Sequence, residues 1–156
     1  MNIFVVDEDP EVAARQLCDK HVVKMILESA QMLCTVAHEH GFDAPYRKTH
    51  PKHPCTLWAG RSKANWDWLM RHALAMCAEY THRYGKKHKS RAVIDWCLWQ
   101  GIKIQFPESG LLPFAQAMPE QYKNECAVTA YRAYYHGEKA DFATWKSEVP
   151  QWWTAA

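Results

Sequence analysis

The chain has 156 residues, 48% of them apolar and 23% charged, which is the size and make-up of one ordinary globular domain. A net charge of +2 excludes a polycation that grips nucleic acid over its whole surface, and no run of 18 apolar residues exists to span a membrane. Eight Trp, seven Tyr and five Phe are more rings than a core of this size normally takes, so some are expected at the surface, where ring faces suit stacking on bases.

In chain order, Asn2–Val6 is short and apolar and reads as a strand or a buried arm. Asp9-Pro10 has the form of a helix start, an N-cap followed by a first-turn proline. A long helix is expected over about 19–40, capped by Asp19 and stopped at Gly41. Val22, Val23, Ile26, Leu27, Ala30, Leu33, Cys34 and Ala37 form its apolar face. Gly41, Pro45, Pro51 and Pro54 then break the pattern, giving an irregular His-rich loop over 41–56. A second long helix follows over about 62–84, ending at Gly85, and a shorter one from Ser90 to Gln100. Ile102, Ile104 and Phe106 alternate too briefly to establish a strand. Short helices are expected over 125–136 and 139–146, before a Trp-rich tail. The expected fold is all-α, a compact single-domain array over 1–156 built around the two long helices.

Six Cys are spread without any C-x-x-C pair and read as reduced thiols, mostly buried, of a cytoplasmic protein. The N-terminus lacks the basic start and apolar run of a signal peptide. There is no Gly-rich phosphate loop and no G-x-S-x-G, so nucleotide folds and hydrolase elbows built on them are not indicated.

Three groups of residues carry possible chemistry. His21, Lys24 and Glu28 stand at i, i+3 and i+7 on the first long helix, continued by Thr35. Opposite the apolar face, this stripe reads either as a solvent face with one Lys–Glu pair or as a site that another segment must cover. Arg47, Lys48 and Lys52 lie among His50 and His53; the acid-free stretch between Glu79 and Asp95 holds Arg83, Lys86, Lys87, Lys89 and Arg91. These two basic segments read as anion contacts or as solvated loops. His50-x-x-His53-x-Cys55 lacks the spacing and the fourth ligand of a zinc module, so no metal is expected. In Tyr131-Arg132-Ala133-Tyr134-Tyr135, continuing to Lys139, rings alternate with cations. The pattern suits stacking with phosphate contact, though the same helical spacing also suits core tyrosines.

The run from Cys18 to Met25, with His53-Pro54 and Tyr84-Gly85-Lys86, resembles small helical proteins common in phage genomes, a group without a settled function. Leu17, Asp19, His21 and Glu28 also resemble the Leu-x-Asp-x-His…Glu order of the pyrimidine-dimer DNA glycosylase family. The His-Pro loop, Glu79 and Arg83-Tyr84-Gly85 extend the likeness.

That resemblance implies an all-helical DNA-repair glycosylase/AP lyase that acts on damaged duplex DNA as a monomer and uses no cofactor. Its nucleophile would be the N-terminal amine, its acid-base Glu28, with His21 beside it. Contacts to DNA would come from Lys24, Arg47, Lys48, His50, His53, Arg83, Lys86, Lys87, Lys89, Tyr131, Arg132 and Tyr135. An ordinary α-amine, with a pKa near about 7.8, is neutral a few hundred times more often at pH 7 than a lysine near about 10.4. Asn2 is too bulky for routine removal of the initiator, which puts that amine on Met1 rather than on residue 2. Leu27 and Gln31 flank Glu28 where the family carries arginines. Two other readings stay open: a different DNA- or nucleotide-modifying enzyme using His21, Glu28, His50 and His53, and a non-catalytic nucleic-acid-binding or host-interaction protein.

Overall fold

A computed structural model describes residues 1–154 and shows helices with no strand among them. Helix α1, Pro10–Gln16, starts as its sequence dictates: Asp9 Oδ1 accepts from Glu11 N at 2.8 Å and Val12 N at 3.0 Å, with Pro10 in the first turn. Helix α2, Asp19–Glu39, is followed by Gly41 at φ +84°. Helix α3, Pro54–Arg61, occupies part of the expected loop. Pro54, which reads as a break, is instead a first-turn proline, and His53 Nδ1 caps Cys55 N at 3.1 Å. Helix α4, Lys63–Tyr84, is capped by Ser62 Oγ on Asn65 N at 3.0 Å and closed by Gly85 in the left-handed region at φ +69°.

Helix α5 is Arg91–Gly101, α6 is Ala127–Glu138 and α7 is Gln151–Thr154. The helix expected over 139–146 does not form. Its backbone is spent on Asp19 instead: Asp19 N donates to Thr144 O at 2.8 Å, and Lys146 N donates to Asp19 Oδ1 at 2.9 Å. Nor does Ile102–Phe106 make a strand; Ile104 turns inward while Ile102 faces solvent.

Helix α2 runs through the centre, packed on α3, α4 and α5, while α1 lies along α4. Val22, Ile26, Ala30, Leu33, Cys34 and Ala37 are buried as the periodicity requires, but Val23 and Leu27 are 39% and 40% exposed. The polar stripe is the surprise of this helix, because His21, Glu28 and Thr35 are buried. Residues Ile3–Val6 form a buried arm over its first half, and Thr49 closes over Thr35 through two hydrogen bonds of 3.0 and 3.1 Å. The arm takes a sharp bend at Phe4, whose φ of +61° is costly for a side chain with a Cβ. Burial of its ring, stacked 4.2 Å from that of His21, holds the bend in place.

Asp19 does not cap α2. Its carboxylate takes Arg83 Nη1 at 3.0 Å, while Arg83 Nε meets Glu79 Oε1 at 2.8 Å and the other guanidinium contacts go to Leu17 O and Arg15 O, both at 2.9 Å. The Arg83 side chain is wholly enclosed, so this residue ties the α1–α2 corner to α4 and has no face left for DNA. All six cysteines are free thiols; five are buried and Cys126 is exposed.

Candidate functional site

The arm delivers the main chain of residues 1 and 2 to Glu28. Asn2 N donates to Glu28 Oε2 at 2.9 Å, the Met1 amine lies 3.6 Å from the same oxygen, and Lys24 Nζ lies 3.8 Å from Oε1. Glu28 is 8% exposed, enough to be reached from a cleft but not bathed in water. The Met1 side chain is only 3% exposed although the residue as a whole is half-buried, so its main-chain end is what faces outward.

Asn2 fixes this geometry. Its Nδ2 donates to Ala117 O at 2.7 Å, and its Oδ1 accepts from Ile3 N at 2.8 Å. The Tyr131 hydroxyl sits 2.9 Å from both Asn2 Oδ1 and Ala115 O and accepts from Ala117 N at 3.2 Å. With donor and acceptor both engaged, the buried amide side chain has no cheap alternative orientation.

His21 forms the adjoining wall. Its Nδ1 is 2.6 Å from the Tyr135 hydroxyl and its ring is sandwiched by Phe4 and the edge of Phe142. Burial, then the positive charges of Lys139, Lys24 and Lys20, push its pKa down to about 3, so the ring is neutral at physiological pH. These groups surround an open cavity of about 340 Å³, whose remaining walls are Lys20, Tyr134, Lys139 and Phe142.

Neither basic segment contributes to the lining of this cavity. His53, half-buried at the start of α3, has its pKa lowered by burial and then by the charges of the α-amine and His50, while Glu28 acts in the opposite sense; it is not among the residues that line the cavity. His50 bonds Thr49 Oγ1 at 2.7 Å and, like Arg47, is exposed; Lys48 pairs with Glu39. In the second segment His88 Nε2 donates to Val23 O at 3.0 Å while its Nδ1 accepts from Ser90 N at 3.1 Å, which anchors the exposed Lys86, Lys87 and Lys89 beside α2. Lys20, Lys24 and Leu27 are exposed on α2 itself.

Besides Arg83, three expected contacts are engaged elsewhere. Tyr131 and Tyr135 are fully buried and serve Asn2 and His21, so their rings have no free face for a base. Arg132 Nε donates to Val6 O at 2.8 Å and its guanidinium lies 3.6 Å from Asp7, so it holds the arm. Cys18 is buried, with its Sγ 3.6 Å from the Tyr135 hydroxyl. Among the described residues no group of three or more His, Cys, Asp or Glu is placed to hold a metal, and Cys55 points at Asn2 Oδ1, 3.9 Å away. Conversely, nothing in the sequence singled out Phe4, Lys20 and Phe142 as wall residues, whereas Tyr134 and Lys139 fall in the run of rings and cations.

The result is an all-helical protein with a cationic cleft in which a main-chain amine meets a buried acid. The family model described as pyrimidine dimer DNA glycosylase matches residues 1–92, and the chain belongs to that family. The match spans the arm, α1 to α4 and the second basic segment; the wall formed by Tyr134, Lys139 and Phe142 lies beyond it. No curated protein and no solved structure matches the chain.

Proposed function

We propose that the protein is a DNA glycosylase/AP lyase that acts on damaged pyrimidines in duplex DNA, with the Met1 amine as nucleophile and Glu28 as acid-base. The observation that carries this reading is the 3.6 Å approach of that amine to a carboxylate inside a lysine-rimmed cleft.

The neutral amine attacks the sugar C1′ of the damaged nucleotide. The C1′–N bond breaks and the base leaves with its electron pair, taking up a proton. As the N–C1′ bond forms, the amine gives up a proton to the Glu28 carboxylate; Glu28 passes it to O4′ as the ring opens to an imine, then as carboxylate removes a C2′ proton so that the 3′ phosphate departs. Water hydrolyses the imine and frees the amine. His21, neutral and stacked on Phe4, keeps the arm in register without adding charge. Lys24 and the flanking basic segments meet the backbone of a duplex whose damaged step is cheaper to unstack.

The test is borohydride trapping on a duplex with one abasic site, followed by peptide mapping. The expected result is a covalent adduct on the peptide that begins at Met1. Absence of an adduct, or an adduct on a lysine side chain, overturns the assignment.

A further inference from the structure

We infer that Lys139 and Lys20, framed by Phe142, form a subsite for one backbone phosphate of the damaged strand, with Lys139 and Phe142 supplied by the part of the chain beyond the family match and Lys20 by α2 within it. This deepens the reading above, on which it rests for DNA as the ligand.

Lys139 Nζ lies over three rings: 4.6 Å from the centroid of Tyr134, 5.8 Å from Phe4 and 5.9 Å from Phe142. Lys20 Nζ lies over the other ring contact of this wall, 4.5 Å from the centroid of Phe142. Attraction to a ring face fixes an ammonium without using any of its N–H donors. Among the described residues neither lysine has a carboxylate within ion-pair distance. The cavity's one acid, Glu28, is already engaged by Asn2 N, the Met1 amine and Lys24. Two uncompensated ammoniums, positioned but with all donors free, therefore face the cavity where the sugar would sit. The field they set up is felt by His21, whose pKa is lowered by Lys139 and Lys20 as well as by burial. A phosphodiester is a ligand this charge fits, and on the reading above the one next to the attacked sugar would fall beside the same cavity.

The experiment measures affinity of the full chain for a duplex carrying a tetrahydrofuran abasic analogue, which binds but cannot form an imine. Lys139→Gln is expected to weaken binding about tenfold at low salt and to reduce the slope of log K against log salt by about 0.9, one phosphate contact. A single uncharged methylphosphonate, walked through the phosphates on either side of the analogue, should cost the wild type a similar factor at one position. At that position it should cost Lys139→Gln nothing further. Lys20→Gln, on the exposed face of α2, repeats the test with the loss of one contact to the Phe142 ring and none to Phe4 or Tyr134. Unchanged affinity and slope in both variants, or losses that add to those of every methylphosphonate, overturn the subsite while leaving trapping intact. Wild-type binding without trapping leaves the subsite standing and removes the lyase reading. No binding by the wild type removes both.

Discussion

Replacing Asn2 by Leu tests whether its side chain is what sets the amine against Glu28. Leu is close to Asn in size and, like it, large enough for the initiator methionine to stay, so only the polar contacts change. Ala117 O loses the donor at 2.7 Å and Ile3 N loses the acceptor at 2.8 Å, while the Tyr131 hydroxyl keeps Ala115 O. Asn2 is buried, so water cannot replace the lost partners freely. With Phe4 N, which donates to the same oxygen at 3.4 Å, three main-chain groups lose a partner, and at roughly 1–3 kcal/mol each, lessened by relaxation, the cost is about 3 kcal/mol. Urea denaturation followed by tryptophan fluorescence should show that loss. Trapping on abasic DNA should fall by far more than the folded fraction does, because the arm is released before the helices melt. Tyr131→Phe, which removes one partner of the same oxygen, should cost about 1 kcal/mol. A stability change below about 0.5 kcal/mol with full trapping in Asn2→Leu refutes the reasoning, since that is the size of an ordinary surface substitution.

Glu28→Gln keeps an oxygen for Asn2 N but cannot carry a proton; turnover on abasic DNA should drop at least about 100-fold while affinity for the tetrahydrofuran duplex stays within about threefold. Equal losses in affinity and turnover would make Glu28 a binding residue instead. Arg83→Met should cost about 3–5 kcal/mol in denaturation experiments because it strands Asp19 and Glu79, and a fall in DNA affinity without that loss contradicts the buried network. His72, enclosed between α4 and the Pro10 carbonyl 2.9 Å from its Nδ1, has its pKa lowered from 6.5 to about 4, chiefly by burial. Its contribution to stability is thus complete above pH 6.5 and is lost as the pH falls toward 4; at pH 5 the loss is about 2 kcal/mol. His72→Asn should flatten the stability difference between pH 7 and pH 5 by that amount, and an unchanged difference refutes it.

Local chemistry made most of the helices legible. Asp9-Pro10, Ser62 and the glycines at 41 and 85 mark ends that the chain respects, since each acts through neighbours one to four residues away. What covers a helix face is a non-local matter. A helical wheel of α2 separates apolar from polar positions, yet Val23 and Leu27 face out and His21, Glu28 and Thr35 face in, because the arm and Thr49 happen to lie there. Tyr131 and Tyr135 share one face of α6 at a spacing that serves a core as readily as a stacking surface, and only packing against Asn2 and Cys18 decides it. Arg83 reads as part of a basic run although Glu79 is one helical turn away, because its enclosure also needs Asp19, 64 residues away, and the Leu17 and Arg15 carbonyls. Lys139 and Phe142 sit in a stretch with helical composition whose backbone is captured by Asp19, a contact no short window contains. The meeting of the first residues with Glu28 followed from family likeness, not from periodicity.

Asn2 and the arm behind it find their place only after much of the chain that follows has been made. Asn2 is clasped by Tyr131, 129 positions later, and by main-chain groups near residue 117, while the corner that carries His21 is closed by Tyr135 and Thr144. Through most of synthesis, then, Ile3–Val6 is an apolar thread without a groove. Contacts of such long sequence separation are slow to form, and exposed apolar segments invite misassociation in the meantime. Assembly of the cleft thereby waits until residues 115–144 have been made, and a product cut short after α4 would hold nearly all the matched residues with nothing to seat the thread.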